Sequence, residues 1–329
     1  MKRGMPLKLS ALMIAPLLAT LSTSALADKI VFAIGGTPHS LQGLTAQHFT
    51  DLLQERLGDA HQVEYYHSGQ IGDERQLLQK LRLGTVNLAG ISSIMPTVAP
   101  SFALFDLPFL VKDRDHLLRI DKDIVMTDLA QDAEEKGLHL VSTWENGFRQ
   151  ITNSKRAINV PDDLDGLKIR TPQSEWRTLM FKTWGANPTP MAFSEVFVAL
   201  QTGVVDGQEN PLSNIDGAKF QEVQDYLSLS NHVYSPIWLT ASAKGWESLP
   251  DDVQSAIQES AAETQQWALA KGLELDNELV TTLEDAGMQV NQVDRAAFVE
   301  SSRPVYEAYA EQVEGGQELI DRALSLAEE

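Results

Sequence analysis

The chain opens on three cations, Lys2, Arg3 and Lys8, followed by a largely apolar stretch over residues 9–21 and the polar run Ser22, Thr23 and Ser24. A charged start, a short apolar core and the small residues Ala25-Leu26-Ala27 have the layout of a secretion signal and predict a cut before Asp28. The apolar stretch is shorter than the ~20 residues a membrane-spanning helix needs, and no second run of that length follows. Beyond Asp28 the pattern becomes one of short apolar runs alternating with helical periodicity. Residues 29–34 read as a strand, 41–57 as a helix, 63–66 as a second strand, and another helix begins near Asp73. Further short strands are predicted over 87–91, 138–143, 167–170 and 234–240, each flanked by helix-like segments. This alternation predicts an α/β fold with mainly parallel sheets covered on both faces.

Two helices stand out. Phe193, Val196, Phe197 and Leu200 follow the i, i+3, i+4, i+7 spacing of an amphipathic helix over 193–202, stopped by Gly203. Pro250, Asp251 and Asp252 suit a helix start, and no proline interrupts the pattern from there to about Ala286. At ~1.5 Å per residue that helix reaches roughly 50 Å, long enough to lie along two lobes, with a kink near Gly272 as the plainer alternative. Residues 294–313 and 317–327 read as closing helices.

Removing residues 1–27 leaves 302, a length that predicts two domains with a sizeable core. The formal charge is −20, and −23 once the three cations of the signal are gone. Such an excess repels nucleic acid and anionic membrane surfaces, so neither is expected as a partner. Any anionic ligand must then be held by positive charge concentrated locally. With no cysteine in the chain, thiol nucleophiles, thiolate zinc sites and iron–sulfur clusters are excluded. The seven histidines show no short metal-ligand spacing. Asp163, Asp165 and Gly166 imitate part of a calcium loop, but Pro161 and Pro172 stand where its first and last carboxylates belong. No G-x-S-x-G, P-loop or G-x-G-x-x-G occurs. We therefore expect a binding protein with no metal, no cofactor and no catalytic residues.

The stretch from Trp144 to Ile215 is the most informative. It contains Asn146-Gly147-Phe148-Arg149, Leu167-Lys168-Ile169-Arg170, Pro188-Thr189-Pro190-Met191-Ala192-Phe193-Ser194-Glu195 and Asp206-Gly207-Gln208-Glu209-Asn210-Pro211. Together with Ser68-Gly69-Gln70-Ile71-Gly72-Asp73-Glu74-Arg75 and Leu107-Pro108-Phe109, this order of motifs resembles the DctP-type solute-binding receptors of tripartite ATP-independent periplasmic (TRAP) transporters. The resemblance covers nearly all of the chain after the signal.

Arg170 ends a strand signal before Thr171-Pro172, so its side chain can emerge at the carboxyl edge of a parallel sheet, where ligands of open α/β folds collect. A guanidinium matches both oxygens of a carboxylate and stays charged when desolvated. Taken alone, the residue reads more simply as one half of an interdomain or surface salt bridge, but the resemblance implies a ligand-gripping role. It also implies that Arg149 and Asn210 donate to the same carboxylate and that Phe193 packs on the ligand. Taken alone, these three would read as an ion-pair partner, a turn residue and a core residue. Glu74 and Glu209 are acceptors suited to ligand hydroxyls, and His39 and Ser92 lie in loops expected to border the cleft, with Gln173 and Trp238 as further candidates.

The resemblance implies two lobes joined by crossing strands and a long helix. The first lobe is drawn over 28–146 plus about 236–275, the second over about 147–235 plus 276–329. It implies a monomeric periplasmic receptor that closes on an organic acid and delivers it to small and large integral-membrane TRAP subunits driven by an ion gradient. The acceptors Glu74, Glu209, Ser92 and His39 favour a hexuronate or aldonate over a C4-dicarboxylate or a sialic acid. A periplasmic enzyme acting on acidic sugars, or a receptor feeding a sensor kinase, are the competing classes.

Overall fold

The computed structural model describes Met1 and residues 28–327. The predicted secretion signal and its cut therefore fall outside the described residues, apart from Met1. Ten strands form one continuous sheet: β1 (Asp28–Ile34), β2 (His61–Tyr66), β3 (Leu88–Ile91), β4 (Leu138–Asn153), β5 (Lys168–Thr171), β6 (Asn187–Pro190), β7 (Gly207–Pro211), β8 (Tyr226–Leu229), β9 (Tyr234–Ser242) and β10 (Gln289–Gln292). Their order is β2-β1-β3-β9-β4-β7-β5-β6, with β8 also on β4 and β10 on β8. The outer pairings are parallel, as the β-α alternation predicts. The central ones, made by β4 and β9, are antiparallel.

β4 is the joint of the molecule. Its first part pairs with β9 from Leu138 to Phe148, and its last part, from Arg149 to Asn153, pairs with β7 and β8. The changeover is marked by a register shift between Glu145 and Gly147, and Gly147 has φ +118°, a conformation that side-chain-bearing residues rarely adopt. The strand predicted over 138–143 thus runs ten residues further, to Asn153. The extension carries Glu145 and Arg149, whose charges are paired inside the protein, so its hydrophobic pattern hides it.

The long helix, Asp251–Asp285, spans both lobes. Val253, Ala256, Ile257 and Ala261 enter a core with Phe32, Phe49 and Trp144, while Leu279 and Leu283 enter another with Val196, Leu200 and Leu227. Burying apolar side chains at both ends, at roughly 1.5–3 kcal/mol for each large one, fixes this helix to each lobe. Gly272 marks a close approach: a Cβ there would lie 2.5 Å from Glu145 Oε1. Glu145 is buried against Arg114, which also pairs with Asp276 of the same helix at 2.6 Å. Burial, offset in part by Arg114, pushes the Glu145 carboxyl up to about 7.

A third core joins the lobes on one side, running from Leu81, Phe102 and Leu104 to Ile169, Phe181 and Trp184, and on to Phe298, Val305 and Tyr309. The closing helical segment breaks into Arg295–Ser301 and Arg303–Gln312, with Pro304 in the first turn of the second piece. The last helix, Gly316–Ser325, crosses the division drawn for the lobes, because it packs on residues 101–129. His116 bonds to the Ala323 carbonyl at 2.7 Å, and Arg322 reaches Asp123 and Asp128. No described helix is long and apolar enough to cross a membrane.

Candidate functional site

A cavity of about 660 Å³, its mouth included, lies where the loops after β1 and β3 and the start of helix Glu74–Arg82 face the ends of β5 and β7 and the 191–194 segment. Of the residues singled out in the sequence, Arg149, Arg170, Asn210, Phe193, Glu74, Ser92 and Gln173 line it.

Arg170 stands on β5 and is 3% exposed. Its Nε and Nη2 donate to the Met191 carbonyl at 3.2 and 2.7 Å, and it forms no salt bridge among the described residues. Burial pulls its guanidinium down to about 9; Glu209 and Glu74 oppose the fall and Arg149 adds to it.

Arg149, on β4, donates to the Glu209 carboxylate through Nε and through Nη2 at 2.8 Å, and to Asn210 Oδ1 at 3.0 Å. Arg177, from helix Glu175–Thr183, donates to Asp106 at 2.7 Å and to Glu209 at 3.1 Å. Ser235 Oγ accepts from both arginines at 3.3 Å, and His232 Nε2 lies 3.2 Å from Glu209 Oε2. All of these groups are buried. Burial alone would raise the Glu209 carboxyl, but Arg149, Arg177 and His232 hold it far below the usual range, whereas burial lowers His232. The two cations Arg149 and Arg177 balance the two anions Glu209 and Asp106. The charge on Arg170 is then the surplus while the Glu74 carboxyl on the same cavity wall is protonated, and it faces the cavity.

Glu209 is a correction to the reading of the sequence. It does not line the cavity; its carboxylate is committed behind it to two arginines and a histidine, and has no free face for a ligand hydroxyl. His39 is the second correction. Ser40 turns inward to cap helix Leu41–Leu57, which leaves the preceding His39 exposed and outside the lining. Trp238 is wedged between Phe102 and Phe105, also away from this cavity.

Glu74 occupies the first position of helix Glu74–Arg82, after the Asp73 cap, and Ser92 N–H donates to its Oε1 at 3.0 Å. Burial pushes its carboxyl up to about 7, against that hydrogen bond and the attraction of Arg170 and Arg149, while Asp73 adds to the rise. Ser92 Oγ donates to the Pro236 carbonyl at 2.7 Å. Phe193 has two roles at once, lining the cavity on one side and meeting Phe220 edge-on at 5.9 Å on the other. At the mouth, Arg75 reaches across to Gln173, donating to its Oε1 at 2.7 Å and to its carbonyl at 3.2 Å.

Gln42, Asn146 and Asn214 also line the cavity and were not singled out from the sequence. Asn146 sits inside the Asn146-Gly147-Phe148-Arg149 element, and Asn214 lies four positions after Asn210, on the helix that follows β7. Gln42 has no local signal.

The matching family model is "DctP: Bacterial extracellular solute-binding protein, family 7", over residues 32–312. The chain belongs to this family. DctP-family relatives include the 2,3-diketo-L-gulonate-binding periplasmic protein YiaO of Escherichia coli, 33% identical over 94% of this chain and 95% of that one. Among solved structures, the sugar acid binding protein DctPAm from Advenella mimigardefordensis in complex with galactonate superposes with a TM-score of 0.87 at 33% identity, covering 91% and 97% of the two chains. A TRAP periplasmic solute binding protein from Sulfurospirillum deleyianum with bound succinate gives 0.86 at 28% identity, over 91% and 99%. The DctP fold is two-lobed, in agreement with the two sheet wings, the shared strand β4 and the helix Asp251–Asp285 described above.

Proposed function

We propose that this protein is a periplasmic receptor that captures a sugar acid, a hexuronate or an aldonate, and presents it to the two integral-membrane subunits of an ion-gradient-driven TRAP transporter. The observation that carries the reading is Arg170: a buried guanidinium with no anionic partner among the described residues, at the wall of a cavity that both lobes line. A ligand carboxylate supplies the missing anion, with Arg149 beside it and Phe193 against the carbon chain. Glu74 and Ser92 add acceptors for ligand hydroxyls.

Capture requires no bond chemistry. Contacts made from both lobes at once exist only when the lobes are together, so the ligand shifts the population toward the closed form. Binding of diketogulonate by YiaO and of galactonate by DctPAm supports a sugar acid; the succinate complex keeps a dicarboxylate as the rival. A signal cut before Asp28 would leave β1 whole, which fits export to the periplasm.

Native mass spectrometry of freshly purified protein, followed by a thermal-shift screen of aldonates, hexuronates, sialic acid, succinate and malate, tests the proposal. A retained or stabilising sugar acid, recovered chemically unchanged after incubation, is the expected result. Stabilisation by dicarboxylates alone would overturn the ligand class, and conversion of the bound acid would overturn the receptor reading.

A further inference from the structure

The arginines account for one end of a ligand, but part of the cavity wall has a different character. Gln42, Asn146 and Asn214 are 9%, 2% and 2% exposed, and each comes from a separate element: the first turn of helix Leu41–Leu57, the irregular stretch of β4, and helix Leu212–Gly217. The two asparagine amides adjoin the guanidinium end through hydrogen bonds. Arg149 Nη2 donates to Asn210 Oδ1 at 3.0 Å, and Asn214 Nδ2 is shared between Asn210 Oδ1 at 3.4 Å and Asn146 Oδ1 at 3.2 Å.

Much of the hydrogen-bonding capacity of this group is uncommitted. Asn214 Oδ1 is buried and accepts from no described residue. Asn146 Nδ2 donates to none, and Gln42, whose Cβ and Oε1 both lie close beside Gly36, has no side-chain hydrogen bond among the described residues. An amide offers two donors and an acceptor, and a buried one left unpaired is unfavourable. Three such amides on three elements beside a surplus cation match a ligand that carries a carboxylate followed by several hydroxyls.

We infer that Gln42, Asn146 and Asn214 form a neutral amide subsite that reads the hydroxyl groups of the bound acid and selects polyhydroxy acids over dicarboxylates. The inference rests on the reading that Arg170 and Arg149 hold the ligand carboxylate. A hydroxyl both donates and accepts, so it can satisfy an amide oxygen and an amide nitrogen in turn. A second carboxylate only accepts; it leaves Asn214 Oδ1 unpaired and enters a space shared with Glu74 without a second surplus cation to meet it.

Titration calorimetry on the full chain tests this with galactonate, glucuronate, deoxy analogues lacking one hydroxyl, and succinate, against wild type, Asn214→Leu and Gln42→Leu. The wild type is expected to favour the full sugar acid over at least one deoxy analogue by about 10-fold or more, and each variant to lose that preference while its affinity for succinate changes less than about 3-fold. The deoxy series needs only the wild type, so it decides the matter even if a variant does not fold. Equal affinity for every deoxy analogue, or variants that weaken sugar acids and succinate in parallel, overturns the amide subsite alone. A wild type that binds succinate but no sugar acid overturns the selectivity and the sugar-acid class, and one that binds no organic acid overturns the receptor reading with them.

Discussion

Replacing Arg170 with Met keeps an unbranched stem of similar reach and removes the charge. The guanidinium has five N–H donors, of which two already go to the Met191 carbonyl, so three remain for a ligand. Two of them, used as a fork on a carboxylate, are charge-assisted bonds of about 1.5–3 kcal/mol each. Losing one partner of a buried charge pair costs about 2–5 kcal/mol, and at ~1.4 kcal/mol per tenfold the central expectation is a roughly 100- to 1000-fold rise in Kd. The ligand-free protein should respond differently. Arg170→Met removes a desolvated cation that no described carboxylate neutralises, which offsets the loss of its bonds to Met191. Its apo melting temperature should therefore stay close to the wild-type value. Arg177→Met supplies the contrast, since it leaves the buried Asp106 without its cation and takes one of two arginines from Glu209, and should destabilise the fold by about 3–5 kcal/mol. Arg170→Lys, which retains charge without the fork, should fall between wild type and Arg170→Met in affinity. Calorimetry gives Kd and scanning fluorimetry gives both melting shifts. If Arg170→Met melted as early as Arg177→Met and still showed the full ligand-induced shift, Arg170 would be a fold-holding cation and the argument would collapse.

Glu74 makes a pH-dependent contribution. Its folded pKa, about 7, lies above the ordinary 4.5, so the protonated form is favoured in the fold; its contribution to stability is fully present below about pH 4.5 and disappears as pH rises through 7. Glu74→Gln should accordingly be more stable than wild type at pH 8, by on the order of 2 kcal/mol, with the two converging near pH 4.5, as followed by denaturant unfolding across that range. Gly272→Ala forces a methyl group against Glu145, which Arg114 holds in place; despite the better helix propensity of alanine, a net loss of about 1–3 kcal/mol is expected in the same assay. Arg75→Ala breaks the exposed contact with Gln173 over the mouth of the cavity. Stopped-flow measurement should find ligand release faster by about 3-fold with little change in association rate, and unaltered release would mean that this contact does not hold the closed form.

Much of the architecture could be read in the sequence because it depends on uninterrupted local patterns. The first strand, helix Leu41–Leu57 and helix Asp251–Asp285 are apolar or periodic runs with clear stops. The full length of β4 is hidden because its later part buries charged residues in pairs, and a carboxylate paired across the fold looks in sequence like any solvated acid. The inward pairing of Glu209 is hidden for the same reason: its partner Arg177 lies 32 positions away on a helix whose approach no local pattern discloses. The place of Arg170 at the end of β5 is legible because a strand followed by proline points to a sheet edge. The amides are not, since a lone Gln or Asn on a helix carries no periodic or motif signal until the tertiary fold turns it inward. The break at Ser302 has a visible correlate in Pro304, but proline in a first turn is also compatible with a helix that begins there, which is what occurs.

The position of β9 between β3 and β4 bears on how the chain acquires its structure. Ala89 pairs with Thr240, so the sheet of the first lobe remains open along β3 until residues that follow the strands β5 to β8 have been made. A nascent chain emerging from its amino end would thus expose an apolar, hydrogen-bond-hungry strand edge through most of its synthesis. Such non-local pairing is slow to form, so this protein should depend on helpers that delay collapse and bind exposed edges. Residues 28–146 expressed alone should not fold as a unit. The two wings of the sheet are therefore not separable in how they are assembled.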